Sequence, residues 1–131
     1  MDITPLIPKG RNIINAYSDS GFKISDKNFS GSVMLSPNNV IEISIKEDNF
    51  LEAGQLVSLV ESFAENHIEV LLIGTGKKHI RLSQHLRQDL HNKLKEKSPF
   101  LSIDEMTTSA ACRTFNILTL EDRKVGAILI V

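Results

Sequence analysis

In the second half of the chain, short aliphatic runs alternate with longer segments of helical periodicity. Residues 69–73 are almost entirely aliphatic, which is typical of a strand that is buried on both faces. After a short loop, leucines recur at every fourth position, at Leu82, Leu86, Leu90 and Leu94. This spacing predicts a helix that packs one face against a sheet, and Ser83 is placed to cap it.

The same order repeats up to Val131. Pro99 ends the leucine-rich helix, and residues 101–106 form the next predicted strand. Three small hydroxyl residues follow and can cap a third helix: Thr107, Thr108 and Ser109. The packing stripe of this helix consists of Ala111, Phe115 and Leu118. With a last strand over residues 124–131, the pattern predicts a β-α-β-α-β unit whose first link is long enough for a parallel crossover.

The first half of the chain has the shorter period of strands. Residues 13–24 indicate a strand, a turn and a second strand, and residues 32–35 and 40–45 flank a strong turn signal that contains Pro37. We therefore predict a β-meander over the first 45 residues. Residues 1–12 are predicted to be irregular, because two prolines disfavour both a helix and a central strand.

These elements predict an α/β fold with three layers in a single domain over residues 1–131. A central mixed β-sheet would join the N-terminal β-meander to the C-terminal β-α-β-α-β unit, and a helix over residues 53–65 would link the two halves. The length of 131 residues and the 41% share of hydrophobic residues are sufficient for one core.

Composition excludes some classes of function. The formal net charge is -1 and there is no long run of like charges, which argues against a nucleic-acid-binding surface. No stretch approaches the ~18 apolar residues of a membrane span, and the N-terminus lacks the features of a signal peptide. Cys112 is the single cysteine, so an intrachain disulfide is excluded. We expect a soluble, cytoplasmic protein.

Four sequence features together resemble one small family. They are Gly-Ser-Val at residues 31–33, the Pro-containing turn before an aliphatic strand, Leu-Leu-Ile-Gly-Thr-Gly at 71–76, and Thr-Thr-Ser-Ala-Ala-Cys-Arg-Thr-Phe-Asn-Ile-Leu at 107–118. The family comprises largely uncharacterised single-domain proteins and includes a mitochondrial assembly factor of respiratory complex I (NADH dehydrogenase). The resemblance extends over residues 13–130.

The resemblance implies a three-layer α/β domain and, from the eukaryotic members, a chaperone-like role in assembly with a protein partner. Two positions depart from the family pattern. Ile43 lies where relatives place a tryptophan, and Glu105 lies where they place an aliphatic residue. The acid at Glu105 interrupts a strand that otherwise has the pattern of a buried one.

Topology predicts one ligand site. If the strands that end near residues 73 and 106 are parallel, the loop formed by Gly74, Thr75 and Gly76 lies at the same sheet edge as Thr108 at the start of the third helix. Arg113 could bind a carboxylate or phosphate there, and Asn116 could complete the pocket. The alternative is that the glycines only permit a tight turn, that Arg113 pairs with Glu105 or Asp104, and that Asn116 caps a neighbouring loop.

Catalytic and metal-binding motifs are incomplete in the sequence. The loop at residues 74–79 lacks the third glycine of a dinucleotide motif, and the four histidines include no pair spaced for a metal on one helix face. Cys112 at a helix start could be nucleophilic, but a lone cysteine in an Ala-rich helix favours a place in the core. We therefore predict a non-enzymatic interaction or assembly protein without a cofactor, and as the alternative a small-molecule or anion-binding domain.

Overall fold

The computed structural model of this chain describes residues 10–47, 55–63 and 67–131. Eight strands are found within these ranges: β1 Ile14–Ser18, β2 Gly21–Ile24, β3 Lys27–Ser30, β4 Val33–Leu35, β5 Val40–Glu42, β6 Val70–Gly74, β7 Ser102–Met106 and β8 Val125–Leu129. The described helices are α1 Gln55–Val60, α2 Gln84–Leu94 and α3 Thr108–Leu120, and a 3-10 turn, Glu61–Phe63, follows α1.

The central sheet has five strands in the order β5-β4-β8-β6-β7. β6 runs parallel to both β7 and β8, whereas β4 runs antiparallel to β8 and β5. The sheet is therefore mixed, as predicted, and the last strand of the chain lies at its centre.

Two apolar cores cover the two faces of the central sheet. In β6, Leu71 and Ile73 pack on the side of α1 and α2, while Val70 and Leu72 pack on the side of α3. Because successive side chains of a strand point to opposite faces, a strand between two cores must be apolar at every position. This is the physical reason for the aliphatic runs, and it confirms the predicted three-layer α/β fold.

The predicted N-terminal meander is divided between two sheets. β1, β2 and β3 form a separate antiparallel three-stranded sheet, whereas β4 and β5 join the central sheet beside β8. The chain changes direction at Gly31, which has a φ of 71°. All three residues of β4 are buried, which requires cover on both faces and explains why β4 belongs to the central sheet.

Strand β3 was missing from the sequence prediction. Its residues are mostly polar, and they are joined to β2 by Ser25 and Asp26, which both have positive φ values of 49° and 67°. Such a two-residue turn matches the twist of an antiparallel hairpin. Neither residue is a glycine, so the usual sequence signal for this turn was absent.

The two long helices agree closely with the periodicity. In α2, Ser83 accepts a hydrogen bond from the backbone N–H of Leu86 at 3.1 Å, which confirms the predicted cap. The predicted helix over residues 53–65 is observed as α1 followed by the 3-10 turn, and its outermost parts lie outside the described residues. The predicted irregular segment 1–12 is described only from residue 10 onward.

Candidate functional site

The junction between β7 and α3 begins the candidate site. Thr107 is the N-cap of α3, and its side-chain oxygen accepts a hydrogen bond from the N–H of Ala110 at 3.3 Å. Its backbone is extended there, as an N-cap residue requires. The predicted capping by the Thr-Thr-Ser segment is confirmed, with Thr107 as the capping residue.

The loop after β6 is in direct contact with this junction. The N–H of Thr75 donates to the carbonyl of Met106 at 2.8 Å, and the N–H of Thr108 donates to the carbonyl of Gly76 at 2.9 Å. The Thr108 hydroxyl accepts from the N–H of Gly76 at 2.9 Å and donates to the carbonyl of Ile130 at 2.6 Å. The parallel strands thus bring the two predicted segments together.

Close packing explains both glycines of this loop. A Cβ at Gly74 would lie 2.9 Å from the Cα of Thr108, so a larger residue would push α3 away from the sheet. Gly76 has a φ of 98°, and a Cβ there would lie 2.5 Å from the side chain of Glu47. The Gly-Thr-Gly sequence is therefore explained by backbone geometry and does not need a ligand.

Thr75 and Thr108 use their hydroxyl groups within the fold. Both residues are fully or almost fully buried. The Thr75 hydroxyl donates to the carbonyl of Lys78 at 2.5 Å and accepts from the N–H of Ile80 at 3.1 Å. Their polar atoms are already paired, so a ligand at this edge would meet few free donors from these two residues.

Arg113 and Asn116 form their hydrogen bonds with residues outside the loop. Arg113 is exposed and donates to the Ser109 hydroxyl at 2.9 Å. The side chain of Asn116 accepts from the N–H of Ile14 and donates to the carbonyl of Ile14, both at 2.8 Å. Asn116 therefore holds the start of β1 against α3, in place of the loop cap that was the alternative interpretation.

A cleft of about 150 Å³ lies beside the Gly76 loop. Its lining consists of Tyr17, Asp19, Glu47, Gly76, Lys77, Thr108, Ile130 and Val131. Gly76 and Thr108 belong to the predicted site, whereas Arg113 and Asn116 do not line this cleft. Tyr17, Asp19 and Glu47 come from distant parts of the chain, and their sequence context carries no motif that would have indicated them.

The charges around this cleft are mixed. Lys77 donates its backbone N–H to Glu47 at 2.8 Å, and its ammonium group lies 3.2 Å from the carboxylate of Asp19. One lysine and two carboxylates therefore surround the opening. This balance gives the cleft no positive potential that would attract an anion.

Glu105 is explained by its contacts with α2 and the loop before it. Its carboxylate forms an ion pair with Arg87 and accepts a hydrogen bond from the N–H of Leu82 at 3.0 Å. Arg87 also donates to the carbonyl of Ile103 at 2.5 Å. The suggested pairing of Arg113 with Glu105 is wrong, because Glu105 faces α2 and Arg113 lies on α3, across the sheet. The suggested pairing with Asp104 is not found either, since Arg113 donates to Ser109 instead.

The environment of Glu105 shifts its acidity. Burial raises the pKa of this carboxyl group, but the hydrogen bond from Leu82 and the positive charge of Arg87 lower it by more. The net result is a pKa below the ordinary value of 4.5. The charged form of Glu105 is therefore part of the folded structure.

Cys112 is a core residue. It is 7% exposed and packs in the apolar core between α3 and the central sheet. Burial raises the pKa of its thiol to about 12, although the nearby Arg113 acts in the opposite direction. The core interpretation of Cys112 is confirmed.

Among residues 10–47, 55–63 and 67–131, no group of three or more His, Cys, Asp or Glu side chains could hold a metal ion. In the same ranges, no helix is long and apolar enough to cross a membrane.

Comparison with known proteins gives the family. Residues 14–130 match the family described as protein of unknown function, DUF498/DUF598. The chain belongs to this family. Since the match covers nearly every described element, membership in the DUF498/DUF598 family applies to the fold as a whole and to both segments of the candidate site.

Two similar sequences have descriptive names. The chain is 30% identical over 119 residues to NADH dehydrogenase (ubiquinone) 1 alpha subcomplex assembly factor 3 of Mus musculus, a match that covers 89% of this chain and 59% of that protein. It is 26% identical over 114 residues to the 13 kDa major membrane protein of Francisella tularensis subsp. holarctica, with 87% and 86% covered. The expected resemblance to a family that includes an assembly factor is thus confirmed.

A solved structure supports the fold of this DUF498/DUF598 member. The crystal structure of an outer membrane protein from Bartonella henselae is similar with a TM-score of 0.76 and 37% sequence identity. The similarity covers 96% of this chain and 98% of that chain. The arrangement of the described strands and helices is therefore shared with that structure.

Replacing Glu105 by Gln should destabilise the protein by about 1–3 kcal/mol, because Arg87 would be left partly buried without its counter-charge. A folded pKa below 4.5 means that this contribution is present above that value and is lost as pH falls through the folded pKa. Chemical denaturation at about pH 7 and about pH 3 should therefore show the difference between wild type and variant shrinking in acid.

Asp104→Asn is the matched control, because Asp104 is an exposed neighbour on the same strand. An equal loss of stability in the control, or a Glu105→Gln effect that does not change with pH, would contradict this account of the ion pair.

Cys112 should resist alkylation in the native protein, because its side chain is buried and the same burial raises the pKa of the thiol to about 12. We expect iodoacetamide to label it only after denaturation, as followed by intact-mass spectrometry. An Asn92→Cys variant provides an exposed reference thiol in the same molecule. Labelling of native Cys112 as fast as the reference would show that the thiol is accessible.

Proposed function

We propose that this protein is a non-enzymatic interaction factor that assists the assembly of a protein complex. The observation that carries the proposal is the similarity to a complex I assembly factor over 89% of the chain. By that similarity, the partner would be a subunit or an intermediate of a respiratory complex. Because the chain spans 59% of the length of the mouse relative, its role and its partner are both parts of the proposal.

The contacts at the predicted site support an interaction role. The hydroxyls of Thr75 and Thr108 and the amide of Asn116 are each engaged by backbone groups of the same chain. A side chain that already holds the backbone in place is poorly suited to move protons or to bind a reacting group. These polar residues are better explained as parts of a rigid scaffold that presents its outer surface to a partner.

We also propose that the protein works in the cytoplasm. The location needs a test of its own, because two similar proteins, from Francisella tularensis and Bartonella henselae, are named as membrane proteins. Cell fractionation tests it: the protein should stay in the supernatant after membranes are sedimented. Co-sedimentation that resists alkaline carbonate would overturn the cytoplasmic location.

Affinity capture from native lysate tests the assembly proposal. The tagged protein should recover a partner in near-stoichiometric amount, measured by quantitative mass spectrometry against the tag alone. Recovery of the same partner in independent preparations, followed by reconstitution of the pair from purified components, is the expected result. Repeated recovery of the protein without a partner would contradict the assembly proposal.

A second candidate function is binding of a small molecule at the site formed by Gly74, Thr75, Gly76, Thr108, Arg113 and Asn116. The observation that favours it is the cleft of about 150 Å³ in contact with Gly76 and Thr108. Its carboxylates Asp19 and Glu47 are better suited to a small polar or cationic compound than to an anion.

Thermal shift measurements distinguish the two possible binding positions of this second candidate function, the cleft and the start of α3. A panel of anionic and cationic metabolites would be tested on wild type, Asp19→Asn and Arg113→Ala. Stabilisation that is lost only in Asp19→Asn indicates binding of a cationic compound in the cleft, whereas loss only in Arg113→Ala indicates binding of an anion at the start of α3. If no compound stabilises wild type, the ligand-binding candidate is not supported.

A further inference from the structure

The outward face of α3 carries exposed aliphatic side chains, where a surface helix usually has polar residues. Arg113, Ile117 and Leu120 follow one another at spacings of four and three residues and therefore lie on one face. Ile117 is 56% exposed and Leu120 is 37% exposed. The opposite face of the helix, which includes Phe115, is buried against the central sheet.

The neighbours of α3 flank this face without covering it. On one side, Asn116 is bonded to the backbone of β1 at Ile14. On the other side, the hydroxyl of Thr114 contacts the sulfur of Met106 at 3.6 Å. The two exposed aliphatic side chains therefore lie between these flanks on the solvent side of the helix.

The other long helix shows the usual distribution. α2 buries Leu90 and Leu94, whereas residues such as His85, Asp89 and Lys93 lie on its more exposed side and form polar contacts. Packing of a helix on this sheet thus does not require aliphatic residues on the outside. The composition of the α3 surface needs another explanation.

Two exposed charges flank Ile117 along α3. Arg113 lies four residues before it, and Glu121, the C-cap residue of the helix, lies four residues after it. Within the described part of the chain, neither side chain has an oppositely charged partner. By contrast, the adjacent Asp122 pairs with Arg11 and the adjacent Arg123 pairs with Glu69.

The order Arg113, Ile117, Glu121 is complementary to itself when reversed. If two α3 helices lie antiparallel with their Ile117 residues opposite each other, Arg113 of one copy is at the same level along the helix as Glu121 of the other. The contact then contains two symmetric ion pairs around a pair of isoleucines. A two-fold interface has this isologous form, in which each residue pair occurs twice.

We propose that the outward face of α3 is the contact surface between two copies of this chain, packed antiparallel around Ile117. Ile117 and Leu120 supply apolar area at the centre, and the Arg113 to Glu121 pairs fix the antiparallel orientation. This inference goes beyond the assembly proposal and does not depend on it, because self-association can occur with or without another partner.

Crosslinking tests the geometry directly. In an Ile117→Cys variant, the two introduced thiols would meet near the two-fold axis, so mild oxidation should give a disulfide-linked dimer within minutes. The native Cys112 is buried and should not react. Asn92→Cys, on the exposed side of α2, is the control for random collision. Crosslinking of Ile117→Cys no faster than the control would overturn the proposal.

Charge-reversal substitutions test whether the Arg113 to Glu121 ion pairs stabilise the proposed dimer. Sedimentation equilibrium of wild type should show a dimer that weakens with rising salt. Arg113→Glu and Glu121→Arg should each raise the dissociation constant about tenfold or more, since each change acts twice in a symmetric contact. The double variant should restore the dimer.

Arg81→Glu is the matched control for charge exchange, because Arg81 is also exposed and lies before α2, away from the proposed surface. Circular dichroism checks that each variant is folded. Two results would show that α3 is not the contact surface. One is a wild-type protein that remains monomeric up to about 1 mM, and the other is a dimer whose dissociation constant is unchanged by both Arg113→Glu and Glu121→Arg. Failure of this test leaves the lysate capture result, and with it the assembly proposal, unaffected.

Discussion

The hydrogen bonds around Thr108 are the constraint on which the rest of the fold depends. Its hydroxyl links the loop after β6 to the segment after β8, and its backbone N–H holds the same loop at Gly76. Because Thr108 is buried, loss of these bonds would leave several polar groups unpaired in the interior. The start of α3 and the ends of the two central parallel strands are thereby fixed as one unit.

This constraint changes the interpretation of the Gly-Thr-Gly loop. The carboxyl ends of parallel strands are where open α/β sheets usually bind ligands. In this protein the same edge is occupied by its own polar side chains, and Gly74 permits the close approach of α3. The cleft that remains beside Gly76 is small and bordered by both signs of charge. The outer surfaces of the fold are therefore the better places to look for function.

Glu105 shows how an acid can occupy a strand of the central sheet. β7 is an edge strand of the central sheet. The carboxylate of Glu105 contacts the guanidinium group of Arg87 on α2 and the backbone N–H of Leu82. These partners offset the cost of burying the carboxylate. The exposed charges of α3 have no such partners within the described residues, and this difference separates a structural ion pair from charges that are available for an intermolecular contact.

The sequence by itself determined the elements of the second half, the three-layer class and the family. Aliphatic runs and four-residue leucine spacing are enforced by burial, which acts at every position of a central strand and along one face of a helix and is therefore visible in the pattern. It could not show β3, whose polar residues and non-glycine turn resemble a loop, or the transfer of β4 to the central sheet.

Only the tertiary structure decided the roles of single polar residues. The sequence placed Gly74, Thr75, Gly76 and Thr108 at one edge, because the strand order fixes that contact. It could not show that Asn116 would bind β1, that Arg87 would meet Glu105, or that Glu47 and Asp19 would border the cleft. Such contacts join residues far apart in the chain, and the partner of a side chain depends on the packing of whole elements, which local periodicity does not specify.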